Sequence, residues 1–106
     1  MIFHISDRAE WERAVPTGVY TGSTRGLDLA DVGFIHLSSA EQHPTVLGLF
    51  YADASDLVLL HVDESKLTAE LRWEDVPGAD APFPHLYGPL NVDAVVDVTP
   101  IPDPPR

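Results

Sequence analysis

Apolar and polar positions alternate in short blocks along this chain, and the blocks predict small strands joined by brief helices. Residues 1–5 are rich in strand formers, with Ile2 and His4 alternating against Phe3 and Ile5. A helix should follow. Asp7 with Glu10 three residues on forms a candidate capping box, Trp11, Ala14 and Val15 make one apolar face, and Pro16 and Gly18 stop it. Val19 and Tyr20 begin a second extended piece that ends in the turn-like stretch 21–26. In the strand predicted over Gly33–Ser38, Phe34, His36 and Ser38 share one face while Ile35 and Leu37 share the other. Ser38 or Ser39 is placed to cap the next turn with Glu41 and Gln42 as reciprocal partners, and Pro44 suits the start of a second helix bearing Val46, Leu47, Phe50 and Tyr51.

Leu57–Asp63 is apolar on both faces, the pattern of a central strand. Beyond it, Leu71 and Trp73 alternate with Glu70, Arg72 and Glu74; Trp11, Phe50 and Trp73 are expected in the core. A loop runs through the prolines and glycine of 76–84, and Ala94–Val98 reads as a last strand. The run from Pro100 to Pro105 should leave the sheet, so residues 1–99 are expected to form one globular domain and 100–106 a proline-rich tail. Five or six strands with two short helices make an α+β fold.

Composition narrows the function. The chain has 106 residues and a net charge of −11, from 17 acidic against 6 basic side chains. A chain of this size buries roughly 65% of its unfolded surface, enough for one modest core. The six basic residues are scattered, which disfavours nucleic-acid binding and attachment to anionic membranes. The first residues carry neither a basic stretch nor a long apolar one, so no signal peptide is read, and cysteine is absent. A cytoplasmic setting is expected. The phosphate-cradling GxxxxGK[ST] loop, the GxGxxG fingerprint and the GxSxG elbow do not occur.

Three segments set a histidine beside polar groups in otherwise apolar or rigid sequence. His4 lies mid-strand, His36 has Ser38 two residues on, and His85 precedes Tyr87 between Pro84 and Pro89. Imidazole exchanges protons near neutral pH or fixes a substrate hydroxyl, and two residues two apart on a strand address one cavity. Each histidine taken singly also fits a structural, hydrogen-bonded role; the three together predict a shared site. His61 lacks a polar companion and reads as structural. Glu74, at a strand end beside the loop to His85, is a candidate to orient a ribose hydroxyl or stabilise developing positive charge, or else a solvated edge residue. Tyr20 is open to pocket lining or core packing. Three histidines also make a known zinc set, but none stand at metal-ligand spacing.

Ile2-Phe-His-Ile5, Trp11, Gly18-Val-Tyr20, Gly33-Phe-Ile-His-Leu-Ser38 with Gln42, Phe50-Tyr51, Leu57-Val-Leu-Leu60 and Phe83-Pro-His-Leu-Tyr-Gly-Pro-Leu90 together resemble the bacterial domain-of-unknown-function family 952. That family is in turn distantly similar to the ADP-ribosyltransferase fold. The resemblance implies a split, strongly bent pair of small sheets with a cleft for NAD or an ADP-ribose-like nucleotide, NAD being substrate rather than a resident cofactor. It implies cleavage of the nicotinamide–ribose bond with His4, His36, His85 and Glu74 as catalytic candidates. Ser38, Tyr87, Tyr20, Gln42 and Arg25 are the ligand-contacting candidates, and no metal is called for. The arginine-rich pattern of the RNA 2′-phosphotransferases is missing; Arg8 and Arg25 are the only basic residues near the motifs. A non-catalytic small-ligand module using the same cleft is the alternative, and a three-histidine metal hydrolase comes third.

Overall fold

In the computed structural model, which describes residues 1–103, the chain runs β1 (Ile2–Asp7), α1 (Arg8–Ala14), β2 (Val19–Tyr20), α2 (Leu29–Val32), β3 (Ile35–His36), α3 (His43–Phe50), β4 (Leu57–Val62), β5 (Glu70–Glu74), β6 (Phe83–Tyr87), β7 (Leu90–Asn91) and β8 (Val95–Ile101). All strand pairs are antiparallel. β4, apolar on both faces, is the centre of a β1-β4-β8 sheet, as its composition predicts. A second sheet has the order β3-β6-β5, and β2 pairs β7 separately. The mixed α+β class expected from the sequence is therefore observed.

One bridge joins the two larger sheets. Phe3 N–H donates to Ser38 O at 2.7 Å and Ser38 N–H to Phe3 O at 2.8 Å. Past this point β1 and β3 part, so the two sheets are joined at this one bridge, beside His4 and His36.

The strand periodicity sorts the core. Ile2, Val58, Leu60 and Val62 of one sheet meet Ile35, Leu37 and Leu86 of the other, together with Tyr20, Leu90 and Ala94. Each such aliphatic side chain contributes about 1.5–3 kcal/mol on burial. On the opposite face of β1 and β4, Ile5 and Leu57 pack against Val46, Tyr51 and Ala54 in and after α3.

Several local expectations are corrected. Asp7 makes no side-chain cap at α1; Glu10 turns to the Tyr20 hydroxyl instead, while Pro16 and Gly18 (φ 83°) do end the helical segment. The sequence reading missed α2, whose Asp28 and Asp31 form a reciprocal capping box. Phe50 and Trp73 are about half exposed, at 50% and 47%, because α3 turns Phe50 outward and Trp73 sits near the end of the outer strand β5. β8 continues through Pro100 and Ile101, opposite Val58 and Leu57, two residues beyond the expected boundary. Proline is tolerated there because β8 is the outer strand of its sheet and has one unpaired edge. The rest of the expected tail, from residue 104, lies outside the described residues.

Candidate functional site

Because Ile35, Leu37 and Leu86 point into the core, strand alternation sends His36, Phe83, His85 and Tyr87 to the other face of the β3-β6-β5 sheet. His36 stands directly opposite His85, and on the other side Arg72 stands opposite His85, Glu74 opposite Phe83 and Glu70 opposite Tyr87. The side chains form a continuous hydrogen-bonded line. His36 Nδ1 is 3.1 Å from His85 Nε2, His85 Nδ1 is 3.0 Å from Glu74 Oε1, and the Tyr87 hydroxyl donates to the same carboxylate oxygen.

The proton positions follow from the network. Hydrogen bonds from Tyr87, first, and His85 hold the Glu74 carboxyl below its usual range, so it is an acceptor only. His85 Nδ1 therefore carries the proton given to Glu74. With both imidazoles neutral, His85 Nε2 accepts from His36 Nδ1–H and the line ends on the lone pair of His36 Nε2. Burial, reinforced by the neighbouring His85 and His4, pushes His36 down to about 4 and keeps it neutral at physiological pH. Bonding to Glu74 raises the Tyr87 hydroxyl.

Aromatic rings frame this line. Phe34 stacks on His85 with centroids 4.1 Å apart and planes 20° from parallel, and Phe83 lies 4.7 Å from the His36 ring. The Arg72 guanidinium sits 4.5 Å over the Tyr87 ring and is ion-paired to Glu70.

His4 is placed differently. It shares the inner face of β1 with Ile2 and Ser6, is 3% exposed, and has its ring 5.4 Å from that of Tyr20. Its Nδ1 donates to the His36 carbonyl at 2.7 Å, and its Nε2 has no partner among the described residues. Burial, opposed by the His36 and Gly22 backbone, pushes its pKa down to about 4. His36 and His85 thus share a site, while His4 supports it from behind through the His36 backbone.

A family model for proteins of unknown function (DUF952) matches residues 5–98. The chain belongs to this family. Crystal structures of protein CC0527 from Caulobacter crescentus, one of them of a double mutant, are 42% and 40% identical to it, each with a TM-score of 0.83 over 95% of this chain and 85% of that one. The solution NMR structure of CC0527 is 43% identical, with a TM-score of 0.74 over 92% of this chain and 81% of that one. No curated protein matches.

The remaining candidates in this DUF952 chain are scattered. Ser38 is buried at the bridge to Phe3, beside the line of side chains but not bonded into it among the described residues. Gln42 is taken up structurally: its Oε1 accepts from Ser39 N–H at 2.9 Å and its Nε2 donates to Pro82 O at 2.8 Å, pinning the loop before β6 to the turn before α3. Tyr20 is buried in the core against the His4 ring, away from the hydrogen-bonded line, its hydroxyl shared between Ser6 Oγ at 2.8 Å and Glu10 at 3.2 Å. There it edges a groove of about 390 Å³ also lined by Arg13, Thr17 and Gly22. Arg25 is ion-paired to Asp53 and Arg8 to Asp56, both at the surface. His61 bonds Thr99 Oγ1 at 2.9 Å, the structural role expected of it.

Four contributors were missed by the sequence reading: Ser23, Phe34, Phe83 and Arg72. The alternation of Glu70, Arg72 and Glu74 was legible, but which strand they face was not. The buried Ser23 donates to Phe34 O at 2.8 Å and lies 3.4 Å from His36 N–H, and nothing in its turn-like surroundings marks it. Among the described residues, no three histidine or carboxylate side chains are grouped to hold a metal ion, and no helix is long and apolar enough to cross a membrane.

Proposed function

We propose that this protein cleaves an N-ribosyl bond, that between nicotinamide and ribose in NAD or a related nucleotide or nucleoside, in the manner of the ADP-ribosyltransferases whose fold its family distantly resembles. The observation that carries the reading is the Tyr87–Glu74–His85–His36 line on an aromatic-framed face beside a split sheet. Such cleavage builds positive charge at the anomeric carbon, and an ionised carboxylate held by two hydrogen bonds is preorganised to stabilise it. Glu74 takes that role. The neutral His36 Nε2 accepts a hydrogen bond from a ribose hydroxyl and holds the sugar. The glycosidic bond breaks with its electron pair leaving on nicotinamide, water adds to the anomeric carbon, and its proton passes to solvent.

Nicotinamide release from NAD, followed chromatographically, tests the reading. Glu74→Gln should cut the rate about 100-fold or more, in line with loss of one electrostatic stabiliser. No turnover of NAD or of nicotinamide riboside by the unaltered protein, with no thermal shift from NAD, ADP-ribose or the riboside, would overturn it. A second reading, a binding module without chemistry, is favoured by one observation: Arg72 in the site and Arg8 and Arg25 near the motifs are each paired with a carboxylate. In that case ligand is recovered unchanged after binding.

A further inference from the structure

We infer that the ligand of this site is a phosphate-free nucleoside whose planar, N-alkylated ring is itself the cation, rather than a pyrophosphate dinucleotide. The inference rests on the N-ribosyl reading and narrows its substrate. The β5 edge of the site presents two carboxylates, Glu70 and Glu74, around one guanidinium, Arg72. That guanidinium is occupied by Glu70 on one side and by the Tyr87 ring on the other. A pyrophosphate brought here meets two carboxylates and no uncommitted cation. Neither His36 nor His4 supplies the missing charge, since burial keeps both neutral at physiological pH, and the Nδ1 of His85 is already engaged by Glu74. Arg8 and Arg25 are bound to Asp56 and Asp53.

The same features favour a cationic ring. Phe34 and Phe83 are half-buried and flank the histidine pair, so their remaining surface is available for stacking on a flat heterocycle. The negative ring faces and the Glu74 carboxylate both attract a delocalised positive charge. A net charge of −11 draws cations to the protein and repels polyanions before contact. A pyridinium riboside has the required form: a flat cationic ring, a ribose for His36, and no phosphate. On cleavage its ring leaves neutral, so the attraction to Glu74 moves onto the ribosyl carbon as the bond breaks.

Calorimetric titration of the full chain with nicotinamide riboside, its monophosphate, NAD and the uncharged dihydro form of the riboside tests this, with nicotinamide release measured in parallel. The riboside should bind at least tenfold more tightly than NAD, the monophosphate should fall between them, and the dihydro form should bind at least tenfold more weakly than the riboside. Tighter binding of NAD, or equal binding of the charged and uncharged ribosides, overturns the inference. The two readings fail separately. Faster release from NAD than from the riboside sinks the ligand class and leaves N-ribosyl cleavage standing. Selective riboside binding without release upholds the ligand class and sinks cleavage. Binding of none of the four overturns both.

Discussion

His4 Nδ1 donates to the carbonyl oxygen of His36 across 2.7 Å, at the place where β1 and β3 part after their bridge at Phe3 and Ser38. In an unbroken sheet the backbone of β1 would meet that carbonyl. Here an imidazole does so, and Ser23 Oγ faces the His36 N–H. Buried backbone groups need partners, so these two side chains let the sheet open without leaving the His36 peptide groups bare. The opening is thereby a built feature of the fold, and it fixes the strand that carries His36.

Replacing His4 with alanine should therefore destabilise the protein by about 2–4 kcal/mol, from the lost hydrogen bond, the orphaned carbonyl and the cavity left behind. Urea denaturation measures this. A cost below about 0.5 kcal/mol, the level of an ordinary surface change, would mean that His4 does not hold the split.

Acid should unfold the protein early. Unfolded histidines take up protons near pH ~6.5, whereas folded His4 does so only at about 4. Between these values the unfolded chain holds the extra proton, so stability is fully present above pH ~6.5 and falls as pH drops toward 4. The slope is about 1.4 kcal/mol per pH unit for His4, and His36, lowered to about 4 as well, adds in the same direction. Glu74, also held low, keeps its contribution above the usual carboxylate range and loses it at still lower pH. Denaturant midpoints from pH 7 to 4.5 should fall steadily in the unaltered chain and less steeply in His4→Phe.

How far this was legible in the sequence depends on the range of the interaction. Alternation within one strand correctly separated Ile35 and Leu37, which face the core, from His36 and Ser38, and the doubly apolar run placed β4 at a sheet centre. Pairing between strands was not legible. His36 meets His85 across 49 residues, and nothing local to either announces the register. The same gap explains why His4 was grouped with them: its strand was recognised, but its face is set by which sheet packs behind it. Capping failed at Asp7 because the buried Tyr20 hydroxyl competes for Glu10. Trp73 and Phe50 failed because size and apolarity do not say whether an end position is covered.

Tyr87→Phe should raise the Glu74 pKa toward its ordinary value, since the Tyr87 hydrogen bond is the larger of the two that hold it down. An NMR titration of the Glu74 side-chain carboxyl reads this directly. An unchanged midpoint would show that Tyr87 does not hold the carboxylate in solution.

Trp73→Ser and Phe50→Ser should each cost only about 1–2 kcal/mol, because half of each ring is already exposed. Leu86→Ala, at the fully buried centre of the core, should cost about 2–5 kcal/mol by contrast. Parallel urea curves for the three variants make the comparison, and a loss at Trp73 matching that at Leu86 would return Trp73 to the core.

Gly22 is a packing position on the far side of His4. A Cβ there would lie 2.5 Å from the Tyr20 hydroxyl oxygen and 2.8 Å from both Glu10 Oε1 and Tyr20 Cζ. Glu10 is long and partly free to swing away, but Tyr20 is 1% exposed and fixed by its bond to Ser6. Gly22→Ala should accordingly cost about 1–3 kcal/mol, the usual range for overpacking. Tyr20→Phe alone removes a buried hydrogen bond, at about 1 kcal/mol. Combined, the two changes should cost less than their sum, because phenylalanine deletes the atom the new methyl strikes first. A coupling of at least about 0.5 kcal/mol is expected in the double-mutant cycle, with partial rather than full relief since Cζ stays close. Strict additivity would mean that the methyl group is accommodated by backbone movement instead, and that the Tyr20–Ser6 contact does not set the position of Gly22 against β1.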